Sequence, residues 1–585
     1  MPRRQKPGEC QSPRNPLGSQ FADYGITVQR GAVKAIITAT ENKILVKSVD
    51  HHDSGLYRSI PGAIWNRKHQ CWVYPRSPFV VGRLQRKLDS NHIPWDRDIN
   101  TAPVFDLMDR LLLKQSVKFA NNHSGSIPKC EIKTATRPWL HQQVASEWLQ
   151  DLPYGYLAME MGTGKTLVSI NEMLVRTPKR TLILCPKTVI DVWLDELSVH
   201  APDHQAVVVP LKKGTSKKKA EFAAERWKDS LTMNRPLIVI VNYETAWREA
   251  VAAWILEMMW DMVIADEAHK LKAPGGRISK FAAKLHGRSD TRVLLSGTPL
   301  PNDQMDAYGQ YRFMDPGIFG TNVARYRQRY AEVVTYKGFP EIVGWRNQEE
   351  FRNILDMTMF RVDKDVLDLP PLKHVQRFCT IPPKAQRVYN DIMNTFISDV
   401  NDGLITAANA LTRLLRFQQI TSGFITDDEG HEQHLHDEKR DLLEDIVDGI
   451  AGEPVVVFCR FRHDLETVKE VAKRVGRVYG EVSGSGNDLD GGKIPRGIDV
   501  LGVQIQAGGI GVNLNAARYA VFFSLGFSLA EYEQAIARLH RGGQESPVTV
   551  YHLVARDTVD EQVYAALAAK KKVVGEIMAY VKGER

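Results

Sequence analysis

From about residue 130 onward the chain alternates between short apolar runs and amphipathic stretches. Gly155–Met159, Thr181–Cys185, Leu237–Val241, Met262–Ala265 and Arg292–Leu295 form one set of runs. Val455–Cys459, Val500–Ile505, Ala520–Phe523 and Val548–Val554 form a second. Each is apolar at nearly every position, the pattern of a parallel strand buried on both faces with helices between. Two such sets predict an α/β fold with two doubly wound parallel-sheet lobes. Between the sets few strand signals occur, and Tyr308–Met314 and Val388–Val400 have helical spacing, so a helical insertion is expected. Upstream, Ala32–Val46 alternates like a strand pair, and Ile60–Trp65 leads to Cys71–Pro75, which predicts a small α+β module. The expected division is a disordered tail over 1–22, the module over 23–125 and a first lobe over 126–316. A helical insertion or linker over 317–435 and a second lobe over 436–585 complete it.

A length of 585 residues exceeds what one core supports, in keeping with several domains. The 77 Lys and Arg against 69 Asp and Glu leave a net charge of +8, which permits a polyanionic partner without demonstrating one. The six cysteines lie far apart without CxxC spacing, which argues against a zinc or disulfide framework and for a reducing compartment. No apolar run is long enough to span a bilayer and no signal peptide is expected, so the expected location is the cytoplasm. His431, His434 and His436 have suggestive spacing but no partner cysteines, and a polar loop is expected there. Lys212–Lys219 reads as a basic loop.

Candidate chemistry begins at Gly162-Thr163-Gly164-Lys165-Thr166, between an apolar strand and a helical stretch. Glycines let backbone N–H groups approach phosphates, Lys165 would reach the β- and γ-phosphates of ATP, and the Thr166 hydroxyl would ligate Mg²⁺. The first glycine of the full eight-residue P-loop is replaced by Met159, and so short a motif also fits a plain turn before a helix. Asp266-Glu267-Ala268-His269 closes a buried strand. Adjacent carboxylates there are costly unless a metal or substrate uses them, so Asp266 would hold Mg²⁺ and Glu267 would deprotonate the attacking water. Gln534, Arg538 and Arg541 share one helix face at i, i+4 and i+7. That face is either a solvated stripe or a pair of arginine fingers brought by the second lobe to the phosphates.

These residues resemble superfamily-two helicases of the SWI/SNF type over roughly residues 135–570. Arg137-Pro138-Trp139-Leu140-His141-Gln142 is similar to the adenine-reading motif, with Gln142 in that role. Leu184–Lys187 and Val241–Glu244 resemble motifs Ia and Ib, which flank the DNA track, and Leu295–Asn302 resembles motif III. Phe313–Gly317 and Arg361–Pro371 resemble segments bordering the helical protrusions of these motors. Ala507–Leu514 and Gln534–Gln544 resemble motifs V and VI. The Ser54–Pro75 stretch is similar to the HARP-type domain of annealing helicases. The resemblance implies that the two doubly wound parallel-sheet lobes are RecA-like, and that the chain is an ATP- and Mg²⁺-using motor on DNA, indifferent to base sequence, of the compact bacterial or phage kind. The reading is a translocase on duplex or branched DNA. A strand-separating helicase and a non-catalytic, ATP-switched DNA clamp are the alternatives.

Overall fold

A computed structural model describes residues 34–48, 54–124, 128–301, 303–336, 339–401, 407–427, 429–450, 452–490, 492–505 and 512–569. The tail expected over 1–22 and residues 507–511 of the motif V match lie outside the described residues. The chain divides into two units, Met1–Ser116 with Tyr311–Met357, and Val117–Gln310 with Thr358–Arg585.

In the first unit, β1 (Ala35–Ala39), β2 (Lys43–Ser48), β3 (Ile64–Asn66), β4 (Cys71–Pro75) and β5 (Trp95–Arg97) form one sheet in the order β3-β4-β2-β1-β5. Period-2 alternation turns Ile37, Ile44, Val46, Trp72 and Tyr74 to one face, where Val80, Val81, Leu84 and Leu88 of the helix Pro78–Ser90 pack on them. Ser77 caps that helix by accepting from Phe79 N at 3.2 Å, and its hydroxyl donates to Asp315 Oδ2 at 2.7 Å. Asp315 in turn caps Pro316–Phe319 through Gly317 N. Two N-caps distant in sequence thus share one buried hydrogen bond. Arg83 donates to the Gly317 and Ile318 carbonyls and pairs with Glu350, so the family-like Phe313–Gly317 segment is bound to the small module. Ser77→Ala removes a cap and a charge-assisted bond together, and should lower unfolding free energy by roughly 2–4 kcal/mol in a denaturant titration.

The second unit holds two sheets whose pairings are all parallel. β6 (Tyr154–Met159), β7 (Arg180–Cys185), β8 (Val207–Pro210), β9 (Leu237–Asn242), β10 (Trp260–Asp266), β11 (Ser289–Leu295) and β14 (Met359–Val362) run in the order β14-β6-β11-β10-β7-β9-β8. β15 (Leu372–Cys379), β18 (Val455–Cys459), β19 (Tyr479–Val482), β20 (Val500–Gln504), β21 (Tyr519–Phe522) and β22 (Val548–Ala555) run β15-β22-β21-β18-β20-β19. The segment expected to be a helical insertion carries helices at Gln348–Thr358, Pro383–Asn401 and Ala407–Thr421, and strands as well. β12 (Ala331–Tyr336) and β13 (Phe339–Trp345) form a hairpin, while β14 and β15 complete the two large sheets at an edge. β15 is largely solvated, so its sequence carries no continuous apolar run, whereas β14 is buried at Met359, Phe360 and Val362 but too short to stand out as a run. Lys217–Lys219, read as loop, enter the first turn of the helix Ser216–Met233, capped by Thr215. His434 ends β17 (Glu432–His434), which pairs with β16 (Phe424–Thr426), and His436 bonds the Ile420 carbonyl. Among the described residues no three His, Cys, Asp or Glu gather as a metal site, and no helix is long and apolar enough to cross a membrane.

Candidate active site

The β6 strand ends at Met159 and the helix Lys165–Arg176 begins six residues later, with Gly162 at φ 85° and Gly164 at φ 89° in the turn between. Those left-handed angles are open to glycine at no steric cost. A Cβ at Gly164 would fall 2.1 Å from Gln142 Nε2, so the loop also needs glycine for close packing. Gln142 Oε1 accepts from Trp139 N at 2.8 Å and its Nε2 donates to the Thr163 carbonyl at 3.1 Å. Gln142 therefore braces the loop, and reading adenine would use the one lone pair and one N–H that these bonds leave over. Lys165 Nζ donates to the Met159 and Glu160 carbonyls at 2.8 and 3.3 Å. Burial pushes its pKa down, against the pull of the Glu267 and Asp266 carboxylates. Thr166 is half-buried.

The parallel register brings the end of β10 beside the end of β6's neighbour β11, so that Asp266 stands next to the loop. Asp266 Oδ1 accepts from Glu267 N at 2.9 Å and Oδ2 from Trp193 Nε1 at 3.0 Å. Burial and the adjacent Glu267 charge push its pKa up to about 6. Glu267 holds φ 52°, a left-handed angle that costs on the order of 1–3 kcal/mol in a non-glycine residue and turns its side chain back toward the site. Its Oε2 lies 3.2 Å from His269 Nδ1, which is also 3.2 Å from Ser296 Oγ in the motif III match. Burial favours the neutral acid, but the His269 hydrogen bond and the Lys165 and Arg538 charges together hold the Glu267 pKa below its ordinary value.

The helix Leu529–Leu539 of the second sheet supplies Arg538, whose guanidinium feels Arg541 as a like charge and Glu267 and Asp266 as counter-charges. Burial pushes its pKa down, and its Nε is buried with no acceptor among the described residues. Arg541 sits where a Cβ on Gly162 would meet its own Cβ at 3.4 Å, and Gly542 leaves room for the Trp139 ring. His540 Nε2 lies 2.7 Å from the Pro370 carbonyl, and Glu160 Oε2 accepts from Lys364 N, so the β14–β15 linker is tied to both sheets. Lys165, Asp266, Glu267 and Arg538 thus lie within electrostatic reach of one another, and Arg541 neighbours Arg538 and the Gly162 turn. Trp193 is the residue that sequence reasoning missed. It stands in an amphipathic helix with no motif around it, and only its size and burial single it out.

A hard divalent cation fits this donor set. Buried carboxylate oxygens with lone pairs left over, and the half-buried Thr166 hydroxyl, are oxygen ligands of the kind Mg²⁺ takes when substrate phosphates supply the rest. Lys165→Ala should lower kcat/KM for ATP hydrolysis by about 10²–10³-fold, measured by phosphate release, while far-UV circular dichroism stays as in the wild type.

Two parallel sheets, a glycine loop before a helix on one and an arginine-bearing helix on the other define a two-lobed P-loop ATPase of the helicase-like class. Residues 89–423 match the SNF2-related domain and residues 438–543 the helicase conserved C-terminal domain. The first match covers more than half of the chain, and the protein belongs to the SNF2-related family. It is 28% identical over 479 residues to a protein of Acyrthosiphon pisum secondary endosymbiont phage 1, covering 77% of this chain and 100% of that one. It is 23% identical over 574 residues to the DNA repair and recombination protein RDH54 of Saccharomyces cerevisiae, covering 88% of this chain and 61% of the yeast protein. An ATP-dependent helicase of Mycoplasma pneumoniae is 26% identical over 455 residues, covering 75% of this chain and 42% of that protein. The chain therefore spans less than two thirds of the latter two. The SWI2/SNF2 ATPase core of Sulfolobus solfataricus, solved with double-stranded DNA, is 21% identical at a TM-score of 0.36, with 78% of this chain and 96% of that one covered.

Proposed function

We propose that the protein hydrolyses ATP to move along duplex or branched DNA, gripping it through the phosphate backbone without regard to base sequence. What supports this reading is the convergence of Asp266 and Glu267 from one sheet with Arg538 and Arg541 from the other around a single P-loop. Gly162–Thr166 cradles the triphosphate and Lys165 leaves its loop carbonyls for the β- and γ-oxygens. Mg²⁺, held by Asp266 and Thr166, would neutralise charge on those oxygens. Glu267 takes the proton of a water whose oxygen bonds to the γ-phosphorus. The bond to the bridging oxygen breaks and its electron pair leaves with ADP. Arg538 and Arg541 stabilise the charge on the transferring group, which requires the lobes to close, so that chemistry is tied to movement.

The test is ATPase stimulation by single-stranded, duplex, forked and four-way DNA, followed by triplex displacement and fork-unwinding assays. Stimulation by duplex with triplex release is expected. Fork unwinding without triplex release would make the protein a strand-separating helicase. DNA and ATP binding with no phosphate release would make it an ATP-switched clamp.

A further inference from the structure

Trp139 stands half in water beside the glycine loop that precedes the helix Lys165–Arg176. Its residue is 49% exposed, and Leu140 after it is 55% exposed. Its main chain is fixed, because the N–H donates to Gln142 Oε1 at 2.8 Å and the carbonyl accepts from Gln142 N and Gln143 N at 3.0 Å. The His141 ring lies 5.7 Å from the indole, and His141 Nε2 is 2.9 Å from the Thr163 carbonyl of the loop.

The edge of the indole meets a turn supplied by the second sheet. A Cβ on Gly542 would fall 2.9 Å from Trp139 Cη2, and 3.8 and 3.9 Å from Cζ3 and Cζ2. Gly542 is the second residue of a turn that Gln544 N closes on the Arg541 carbonyl at 3.0 Å, with Gly543 at φ 88°. Gln544 anchors one end of the turn, its Nε2 donating to the Asn515 and Ala517 carbonyls at 3.1 and 3.2 Å. Arg541 opens the other end, where its Cβ and Cα would lie 3.4 and 3.8 Å from a Cβ on Gly162. The end that bears Arg541 therefore rests by packing on the glycine loop and, through Gly542, on the indole.

A half-exposed side chain keeps part of its rotamer freedom, so it positions a neighbour only loosely. A flat ligand laid on the open face of the ring removes that freedom, and a nucleobase is such a ligand. Resting on the reading above, the base is that of ATP, whose phosphates the same loop takes. We propose that Trp139 is a positioning residue for Arg541: a base stacked on the indole fixes the ring, and the edge of the ring then fixes the Arg541–Gln544 turn over the phosphates. Occupancy of the base site thereby becomes a condition for fast turnover, and not for binding alone.

Steady-state phosphate release with saturating duplex DNA gives kcat and KM for ATP and for UTP. The proteins are the wild type, Trp139→Phe, Trp139→Ala, Arg541→Ala and the Trp139→Ala/Arg541→Ala double variant. Trp139→Ala should lower kcat for ATP by about 5–150-fold, the equivalent of stacking one base on one ring, and Trp139→Phe should recover most of the loss. In the Arg541→Ala background the same alanine should change kcat by no more than about twofold, because a ring that acts through Arg541 has nothing left to place. The wild type should turn over ATP faster than UTP, whose pyrimidine covers less of the indole, and the two kcat values should converge in Trp139→Ala. An equal fall in both backgrounds, or an unchanged kcat in Trp139→Ala, would overturn the proposal and leave the motor reading standing. A wild type with equal kcat for ATP and UTP would overturn it as well. No DNA-stimulated phosphate release from the wild type would sink the motor reading and the proposal together. Should Trp139→Ala fail to fold, Trp139→Leu, apolar but without a ring, takes its place in the cycle.

Discussion

Alanine at Arg538 should lower ATP turnover at saturating DNA by about 10³–10⁵-fold, equivalent to about 4–7 kcal/mol of barrier. The guanidinium lies within reach of the Lys165, Asp266 and Glu267 charges, and its Nε is buried without an acceptor among the described residues. A buried donor with nothing to bind is costly unless the reaction supplies its partner. A phosphoryl group whose charge spreads over three oxygens is such a partner. Binding of an ATP analogue should weaken far less than turnover, because the arginine acts mainly once charge has moved. Arg541→Ala should show the same division with a smaller loss of turnover, since Arg541 rests against the backbone of Gly162 and its counter-charge is Glu196 rather than the catalytic pair. Stopped-flow binding beside steady-state phosphate release separates the two quantities. Equal losses in affinity and turnover would mark ordinary ground-state binding and no finger.

Glu267→Gln should cost about 10²–10⁴-fold in turnover while ATP binding stays close to the wild type. Glutamine keeps the shape and can still meet His269, but it cannot accept the proton of the attacking water. The carboxylate is held ionised by His269, Lys165 and Arg538 in spite of burial, so it is the member of the acidic pair available as a base. Single-turnover hydrolysis of prebound ATP checks this directly. Wild-type rates in the glutamine variant would remove Glu267 from the mechanism. The paired carboxylates have a second consequence. Asp266 is pushed up toward about 6 by burial and by Glu267, and a divalent cation relieves that cost.

Strands buried on both faces were readable because burial leaves an unbroken apolar run. Met262–Ala265 and Val455–Cys459 fall within β10 and on β18 respectively. β15 was not readable. Its Lys373, His374, Gln376 and Arg377 face solvent, and it is a strand because β22, far along the chain, offers it a ladder. β14 joins β6 by the same logic. At the site, residue types and spacings pointed to phosphate, metal and general-base chemistry. The expected arginine fingers already related Arg538 to the phosphates beside Glu267, but nothing in the residue types or spacings related Trp193 to Asp266.

The amino-acid sequence by itself determined the local chemistry: which strands are buried, where glycine frees the backbone, which helix face bears arginines, and which carboxylates end a strand. These follow from periodicity and side-chain type within a few residues. Tertiary structure alone decided the edge strands, the bond between the Ser77 and Asp315 caps, and the bond from Trp193 to Asp266. Those contacts join positions far apart along the chain. Their energy arises from burial and electrostatics between groups that no local pattern relates.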